Sequence, residues 1–305
     1  MVDGGVEVAC LGETMLLLVP DPPAGPADAQ HFRRDIGGAE SNVAIGLRRL
    51  GRSTTWHSAL GEDAFGDYVR SRIAEEGVRC IVRRDPERVT GLYVKELREG
   101  RTTVRYYRSA SAAARLVPGD IRQITDLRPA LVHTSGITPS LSPQNKDMVE
   151  LLWETRPEGT TLSFDVNYRP ALHDASAGTV LRDLADRADV VFCGEDEAAA
   201  LWGTRSPEEV RALIPGPPTL VVKQGAKGAT AFGVDGRRFH PAPTVDVVEP
   251  VGAGDAFAAG FLHEHLAGAD AATALATGTR LAGAALSVHG DLPDLAAYER
   301  SEQGD

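Results

Sequence analysis

A short segment places a carboxylate directly after two glycines, at a point where a helix is predicted to begin. The run Gly252-Ala253-Gly254-Asp255 follows Pro250, which ends an extended segment, and Phe257 and Phe261 are spaced as on one helix face. The unpaired N–H groups of a helix start, together with the helix dipole, form an anion-binding hole. A carboxylate there would repel phosphate, so Asp255 is predicted to be a general base that takes a proton from an attacking hydroxyl. The alternative is that Asp255 only caps its helix.

A second pair of glycines also precedes a predicted helix. Gly37 and Gly38 come just before residues 43–50, whose apolar side chains follow helical spacing. Paired glycines let a ligand approach the backbone closely. Asn42, near the start of this helix, offers both a hydrogen-bond donor and an acceptor to a polyol. Alone this pattern is weak, because many helices follow two glycines.

The elements that must position these residues show a regular rhythm of strands and helices. Short apolar runs alternate with longer amphipathic stretches, and several of the runs end in Gly, Asp or Asn. The strand-like runs include residues 7–11, 54–59, 130–134, 161–165, 190–193 and 219–223. The rhythm predicts βαβ units and a mostly parallel sheet, in which ligands bind beyond the carboxyl ends of the strands.

Two regions depart from this rhythm. Residues 15–36 contain four prolines, which excludes one long helix. Residues 91–97 and 102–108 are predicted to be two strands joined by a turn that contains a glycine. A small antiparallel element that projects from the main sheet would explain both regions.

Taken together, the two glycine motifs resemble the two signatures of the ribokinase (PfkB) family of carbohydrate kinases, in the same order along the chain. The resemblance implies an α/β fold with a doubly wound, mostly parallel sheet, helices on both faces and a small β-sheet lid. It implies a single kinase domain over residues 1–305, with lid segments at about 14–36 and 89–110. Asp255 is then the catalytic base. The anion hole is formed by Gly252, Ala253 and Gly254.

The resemblance extends to a nucleotide segment and to a metal motif. Residues 223–229 look like the family's KxGxxG segment. ATP is therefore expected to contact Lys223, Gly225, Lys227 and Gly228. The family's Asn-x-x-Glu motif, tied to magnesium and phosphate, stands here with Gly194 in place of Asn and with Glu197 retained, and Glu249 replaces the usual Asp at the start of the second signature. The implied cofactors are ATP, Mg²⁺ with an indirect contact to Glu197 and, as an option, a monovalent cation such as K⁺.

Arginines and tyrosines follow the predicted lid strands and one core strand. They suit a small polyol with a carboxylate, because Arg makes bidentate charge-assisted contacts and Tyr hydroxyls bind sugar oxygens. These segments are similar to the 2-keto-3-deoxygluconate kinase branch of the family. The resemblance implies substrate contacts from Gly37, Gly38, Asn42, Tyr93, Tyr107, Arg108, Arg169 and Asp291. Arg169 is the expected partner of the carboxylate, and the alternative for each arginine is a surface salt bridge.

The resemblance predicts transfer of the ATP γ-phosphoryl group to the 6-hydroxyl of 2-keto-3-deoxygluconate, with Asp255 as the base. Two alternatives stay open at this point. One is a fructokinase or another sugar kinase of the same family, which shares much of the pattern. The other is a catalytically inactive sugar-binding regulatory protein, an idea that Gly194 motivates because it removes part of the metal motif.

The composition restricts the partners of the chain. Acidic residues outnumber basic ones by 43 to 32, for a net charge of -11, which disfavours nucleic acid. No long apolar run or basic leader is present, and the three cysteines show no CxxC pairing, so we expect no membrane span and a cytoplasmic protein. The expected partners are a sugar acid, ATP and further copies of the chain, associated through the lid.

Overall fold

The computed structural model describes residues 5–98, 101–248, 251–287, 292 and 298. Its strands are β1 Val8–Leu11, β2 Met15–Pro20, β3 Phe32–Gly37, β4 Thr54–Gly61, β5 Arg79–Asp85, β6 Leu92–Arg98, β7 Arg101–Tyr107, β8 Leu131–Ser135, β9 Thr161–Asp165, β10 Val190–Gly194, β11 Thr219–Lys223, β12 Gly228–Gly233 and β13 Gly236–Pro241. Its helices are α1 Ala39–Arg49, α2 Ala64–Glu75, α3 Pro118–Leu127, α4 Ile137–Ser140, α5 Pro143–Thr155, α6 Ala177–Asp186, α7 Glu195–Trp202, α8 Pro207–Leu213, α9 Ala253–Leu266 and α10 Ala271–Leu286. None of these helices is long and apolar enough to cross a membrane.

The main sheet confirms the predicted doubly wound topology. Within the described residues its strands lie in the order β13-β12-β11-β10-β9-β8-β1-β4-β5. All neighbours from β5 to β11 pair in parallel, and β12 and β13 add an antiparallel edge. The strand order reverses between β1 and β8, and ligands of such sheets bind in the crevice at that point, beyond the carboxyl ends of the strands.

Two hydrophobic cores cover the two faces of the sheet, because successive strand residues point in opposite directions. On β10, Phe192 packs with α1, α9 and α10 on one face, where Phe257 and Phe261 lie edge-on to its ring. Its neighbour Val191 packs on the other face with α3, α5, α6 and α8, for example with Leu181. The packing of α1 and α9 against this face of the sheet places their first turns at its carboxyl edge.

A second, smaller sheet has the strand order β3-β2-β6-β7, with its strands inside the two segments expected to form the lid. The predicted antiparallel pairing is confirmed for β2 with β3 and for β6 with β7, but it is wrong for β2 and β6, which pair in parallel. These strands are far apart in the sequence, so no turn fixes their relative direction. The association of chain copies through this sheet stays a prediction.

Two buried histidines should make the stability of the fold depend on pH. Burial lowers the pKa of His57 to about 3, with Arg79 adding to the effect, and lowers that of His133 to about 4. The unfolded chain binds protons on both rings below about pH 6.5, whereas the folded chain does so only near pH 4 or below. The stability gained by keeping both rings neutral is therefore fully present above about pH 6.5 and is lost as the pH falls. We expect these rings to lower the free energy of unfolding in urea at pH 5, relative to pH 7, by roughly 1–2 kcal/mol each, measured as the difference between the wild type and a variant that lacks both.

The double variant His57→Gln/His133→Gln is the control for this prediction. Its change in unfolding free energy between pH 7 and pH 5 should lack the destabilisation that the two histidines cause in the wild type. An equal change in both proteins would show that other groups cause it.

Candidate active site

A cavity of about 930 Å³ lies between the carboxyl edge of the main sheet and the smaller sheet. Its floor is formed by the ends of β9, β10 and β11 and by the first turns of α1 and α9, and β2, β6 and β7 form its roof. The expected anion hole opens into it, because its wall includes Gly252, Ala253, Gly254 and Asp255. The cavity therefore lies where the topology of the sheet predicts a ligand site.

Asp255 lies in the first turn of α9 and faces α1. The N-cap residue is Gly252, whose φ of 83° lies in the left-handed region that favours glycine. Asn42 Nδ2 donates a 2.8 Å hydrogen bond to Asp255 Oδ2, so the carboxylate bonds across the helix pair and not to a backbone N–H. The two helices can approach this closely because a Cβ on Gly46 would lie 2.7 Å from the Cβ of Ala259. The geometry differs from that of a helix cap, which was the alternative for Asp255.

The surroundings of Asp255 favour a carboxyl group that exchanges a proton near neutral pH. Burial raises the pKa of Asp255 to about 7, although the hydrogen bond from Asn42 acts to lower it. The negative charge of Asp165 raises the pKa further, while Lys223 and Arg169 lower it. A base is most effective when its pKa is near the working pH, so this carboxyl can accept and release a proton.

Lys223 is largely buried in the cavity wall and pairs with a carboxylate there. Its Nζ is 2.7 Å from Asp165 Oδ2, and Asp165 is buried at the end of β9. A Cβ on Gly254 would lie 3.4 Å from the same Nζ, so the ammonium borders the first turn of α9. Burial opposes its charge, but the carboxylates of Asp165 and Glu197 outweigh that effect and raise the pKa of Lys223 above its usual value.

The rest of the expected nucleotide segment divides into two groups. Gly225 and Gly228 line the cavity, and both have positive φ angles, of 56° and 132°. The side chain of Lys227 is 70% exposed, and its Nζ lies 2.9 Å from Glu195. It is not part of the cavity wall, so its contact with the nucleotide stays a prediction. The short 3₁₀ turn at Gly225–Lys227 directs this side chain outward.

Glu197 and Arg169 form a pair at the mouth of the cavity. Glu197 Oε2 accepts a 3.0 Å hydrogen bond from the backbone N–H of Gly194, and its Oε1 is 3.2 Å from Arg169 Nη1. Burial raises the pKa of Glu197, and the positive charge of Lys223 acts to lower it. The side chain of Arg169 is 51% exposed, so a ligand in the cavity can reach it.

The lid contributes a second arginine and a tyrosine pair. Arg108 is largely buried, and its Nε and Nη2 lie 2.7 and 2.6 Å from Glu13 Oε2. Tyr93 and Tyr106 face each other across β6 and β7, with ring centroids 5.6 Å apart, and both line the cavity. Tyr107 does not line it, since strand alternation turns it to the opposite face of the sheet. Of these two adjacent tyrosines, Tyr106 is therefore the one that lines the cavity.

The remaining expected substrate residues have different positions. Gly37 and Gly38 line the cavity, and a Cβ on Gly38 would lie 2.4 Å from the backbone oxygen of Glu13. The glycine at position 38 is therefore required by the packing of the backbone. Asp291 and Glu249 lie outside the described residues.

Four acidic residues that line the cavity were not among the predicted ones: Glu13, Glu40, Asp165 and Asp196. Asp165 could have been found, because it ends a predicted parallel strand, where ligand-binding residues collect. Glu13 belongs to no recognised motif, and its role depends on Arg108, which lies 95 positions further along the chain.

The chain combines a doubly wound α/β sheet, a glycine-containing helix start that opens into a cleft, and a small β-sheet over that cleft. This combination is that of a small-molecule phosphotransferase, and comparison with known proteins agrees. The profile described as "pfkB family carbohydrate kinase" matches residues 6–296. The chain therefore belongs to the pfkB family of carbohydrate kinases.

Relatives and solved structures match over almost the whole chain. A 2-dehydro-3-deoxygluconokinase of Bacillus subtilis is 33% identical over 97% of this chain and 94% of its own. A 2-dehydro-3-deoxygalactonokinase of Haloferax volcanii is 34% identical over 94% of this chain and 92% of its own. The crystal structure of a PfkB protein from Polaromonas sp. JS666 superposes with a TM-score of 0.86 at 34% identity, over 98% and 99% of the two chains. The recognised family and the ribokinase-like fold are thus confirmed.

Proposed function

We propose that this kinase transfers the γ-phosphoryl group of ATP to the 6-hydroxyl of 2-keto-3-deoxygluconate. The observation that carries the proposal is the position of Asp255, hydrogen-bonded to Asn42 and placed in the first turn of a helix whose first residues line the cavity. The O6–H proton passes to the Asp255 carboxylate as the O6–Pγ bond forms. The bond between Pγ and the β,γ-bridging oxygen breaks, and its electron pair leaves with ADP.

Charges in the cavity support a substrate that carries a carboxylate. Arg169 is half exposed and uses one nitrogen, Nη1, for its contacts with Tyr168 and Glu197. Its other nitrogens can face a ligand in a planar fork that matches a carboxylate. The names of the two curated relatives differ in the configuration of the sugar acid, so both epimers belong in any substrate test.

The residues present fit magnesium bound together with nucleotide. The described residues contain no cluster of three or more metal-ligating side chains. Mg²⁺ in kinases is held mainly by phosphate oxygens and waters, with one or two carboxylates, of which Glu197 can supply one through water. The ion would neutralise charge on the β- and γ-phosphates. We propose ATP and Mg²⁺ as the cofactors and K⁺ as an optional activator.

One observation favours a neutral sugar such as fructose as the second candidate. Both arginines already have a carboxylate partner, Arg108 in Glu13 and Arg169 in Glu197. The cavity therefore does not require a negative charge from the substrate. Under this alternative the same base and anion hole would act on a hexose hydroxyl.

A coupled assay of ADP release separates these possibilities. We expect magnesium-dependent turnover to be fastest with 2-keto-3-deoxygluconate or its C4 epimer, in a panel that includes fructose, other hexoses and nucleosides. A higher kcat/KM with fructose would select the fructokinase alternative. Binding of sugar and ATP without turnover of any substrate would select the regulatory protein.

The two adjacent lid tyrosines should differ in their effect on substrate binding. We expect Tyr106→Phe to raise the KM for the sugar acid by about tenfold, which corresponds to one lost hydrogen bond. Tyr107→Phe, its matched control, should leave KM unchanged because its ring lies on the other face of the sheet. Steady-state kinetics with saturating ATP measure both values, and the reverse pattern would restore Tyr107 as the substrate contact.

A further inference from the structure

The ammonium group of Lys223 lies between a buried carboxylate and the expected position of the transferring phosphate. It is 2.7 Å from Asp165 Oδ2 on one side, and on the other it borders Gly254 in the first turn of α9. Among the described residues Asp165 is its one hydrogen-bond acceptor. An ammonium has three N–H donors, so two are left for a group in the cavity.

Lys223 also has an electrostatic reason to face the cavity. Three carboxylates, those of Asp165, Glu197 and Asp255, contribute to its electrostatic environment. A triphosphate brought to the first turn of α9 would be repelled by these carboxylates. A cation beside the same turn offsets that repulsion, and its effect is strengthened because the side chains of Lys223 and Asp165 are largely buried.

We propose that Lys223 is a catalytic residue that hydrogen-bonds to the transferring phosphoryl group, and that Asp165 is the positioning residue that holds it there. The inference rests on the proposed function. As the O6–Pγ bond forms and the Pγ–O bond to ADP breaks, Lys223 keeps all its protons and donates to the phosphoryl oxygens. The hydroxyl proton passes to Asp255. The N–H groups of α9 and the Lys223 ammonium then contact the same group from two sides.

Two other roles for Lys223 make different kinetic predictions. If it only neutralises Asp165, its removal would leave a buried unpaired carboxylate, and removing both charges would restore activity. If it only binds ATP in the ground state, its loss would raise the KM for ATP and leave kcat unchanged. A contact that forms with the transferring phosphoryl group lowers kcat with little change in either KM.

The test compares Lys223→Met, the double variant Asp165→Asn/Lys223→Met and the control Lys146→Met. Lys146 lies on α5, on the surface, with a side chain that is 43% exposed. We expect kcat to fall by about a hundredfold in both Lys223 variants, with each KM within about threefold of wild type. Lys146→Met should match wild type. Circular dichroism and thermal melting show whether each variant is folded, and the charge-balanced double variant keeps the test valid if the single variant is unstable.

Two kinetic results would overturn the inference while leaving the proposed function intact. One is a double variant that regains wild-type kcat, and the other is a raised KM for ATP with unchanged kcat. A wild-type protein that releases no ADP with any member of the substrate panel would instead overturn the proposed function, and the inference with it.

Discussion

Asp255→Asn should lower kcat for ADP release by about a thousandfold, the loss expected when a general base is removed. Asparagine has nearly the same shape and can still accept the hydrogen bond from Asn42, but it cannot take the proton of the attacking hydroxyl. The fold should survive, because the substitution removes a half-buried carboxyl whose pKa is already raised by burial. A coupled ADP assay with saturating ATP and sugar acid measures the effect.

Sugar binding gives the internal check on this prediction. The dissociation constant for the sugar acid, measured by calorimetry without ATP, should change little in Asp255→Asn. A control substitution, Asp67→Asn on the exposed surface of α2, should keep wild-type kcat. If Asp255→Asn retained a tenth or more of the wild-type kcat, another group would have to be the base.

Gly254→Val should lower kcat by about a hundredfold, because its side chain would occupy the space where the anion hole receives phosphate. A Cβ at position 254 would contact Lys223 Nζ at an ordinary distance of 3.4 Å, and the residue is helical, so the backbone tolerates the change. The effect should therefore fall on phosphate binding and transfer and not on folding. The kcat and KM for ATP, together with the thermal midpoint, measure it.

The chain offers a matched control for Gly254→Val. Gly119 is the second residue of α3, as Gly254 is the second residue of α9, and a Cβ on Gly119 would meet nothing within 4 Å. Gly119→Val should therefore have the same local effect on a helix start but leave kcat unchanged. Equal losses of activity in the two variants would mean that helix propensity, and not the anion hole, explains the result.

The sequence pattern located the parts of the site that depend on local structure. The start of α9 was predicted because Gly252, Gly254 and Asp255 form one contiguous segment. The strands and the mostly parallel sheet were predictable because each apolar run is followed by a helical pattern. Such features can be predicted because each depends on only a few neighbouring residues.

Contacts between distant segments were beyond the sequence pattern. The hydrogen bond between Asn42 and Asp255 joins residues 213 positions apart. The resemblance of residues 223–229 to a nucleotide segment says nothing of the contact between Lys223 and Asp165, which lie 58 positions apart. The choice between Tyr106 and Tyr107 depends on which face of the lid sheet points inward. That choice is set by the packing of the lid over the main sheet.

The most direct test of the central claim is the pH dependence of kcat/KM for ADP formation, in the wild type and in Asn42→Ala. The account predicts that wild-type activity is constant above about pH 7 and falls as the pH drops below it, since Asp255 must be unprotonated to act as the base. Removing the hydrogen bond from Asn42 should raise the pKa of Asp255, so this fall should begin at a higher pH in Asn42→Ala. A fall at the same pH in both proteins, or activity that does not decrease between pH 7 and pH 5, would contradict the role of Asp255 as the base.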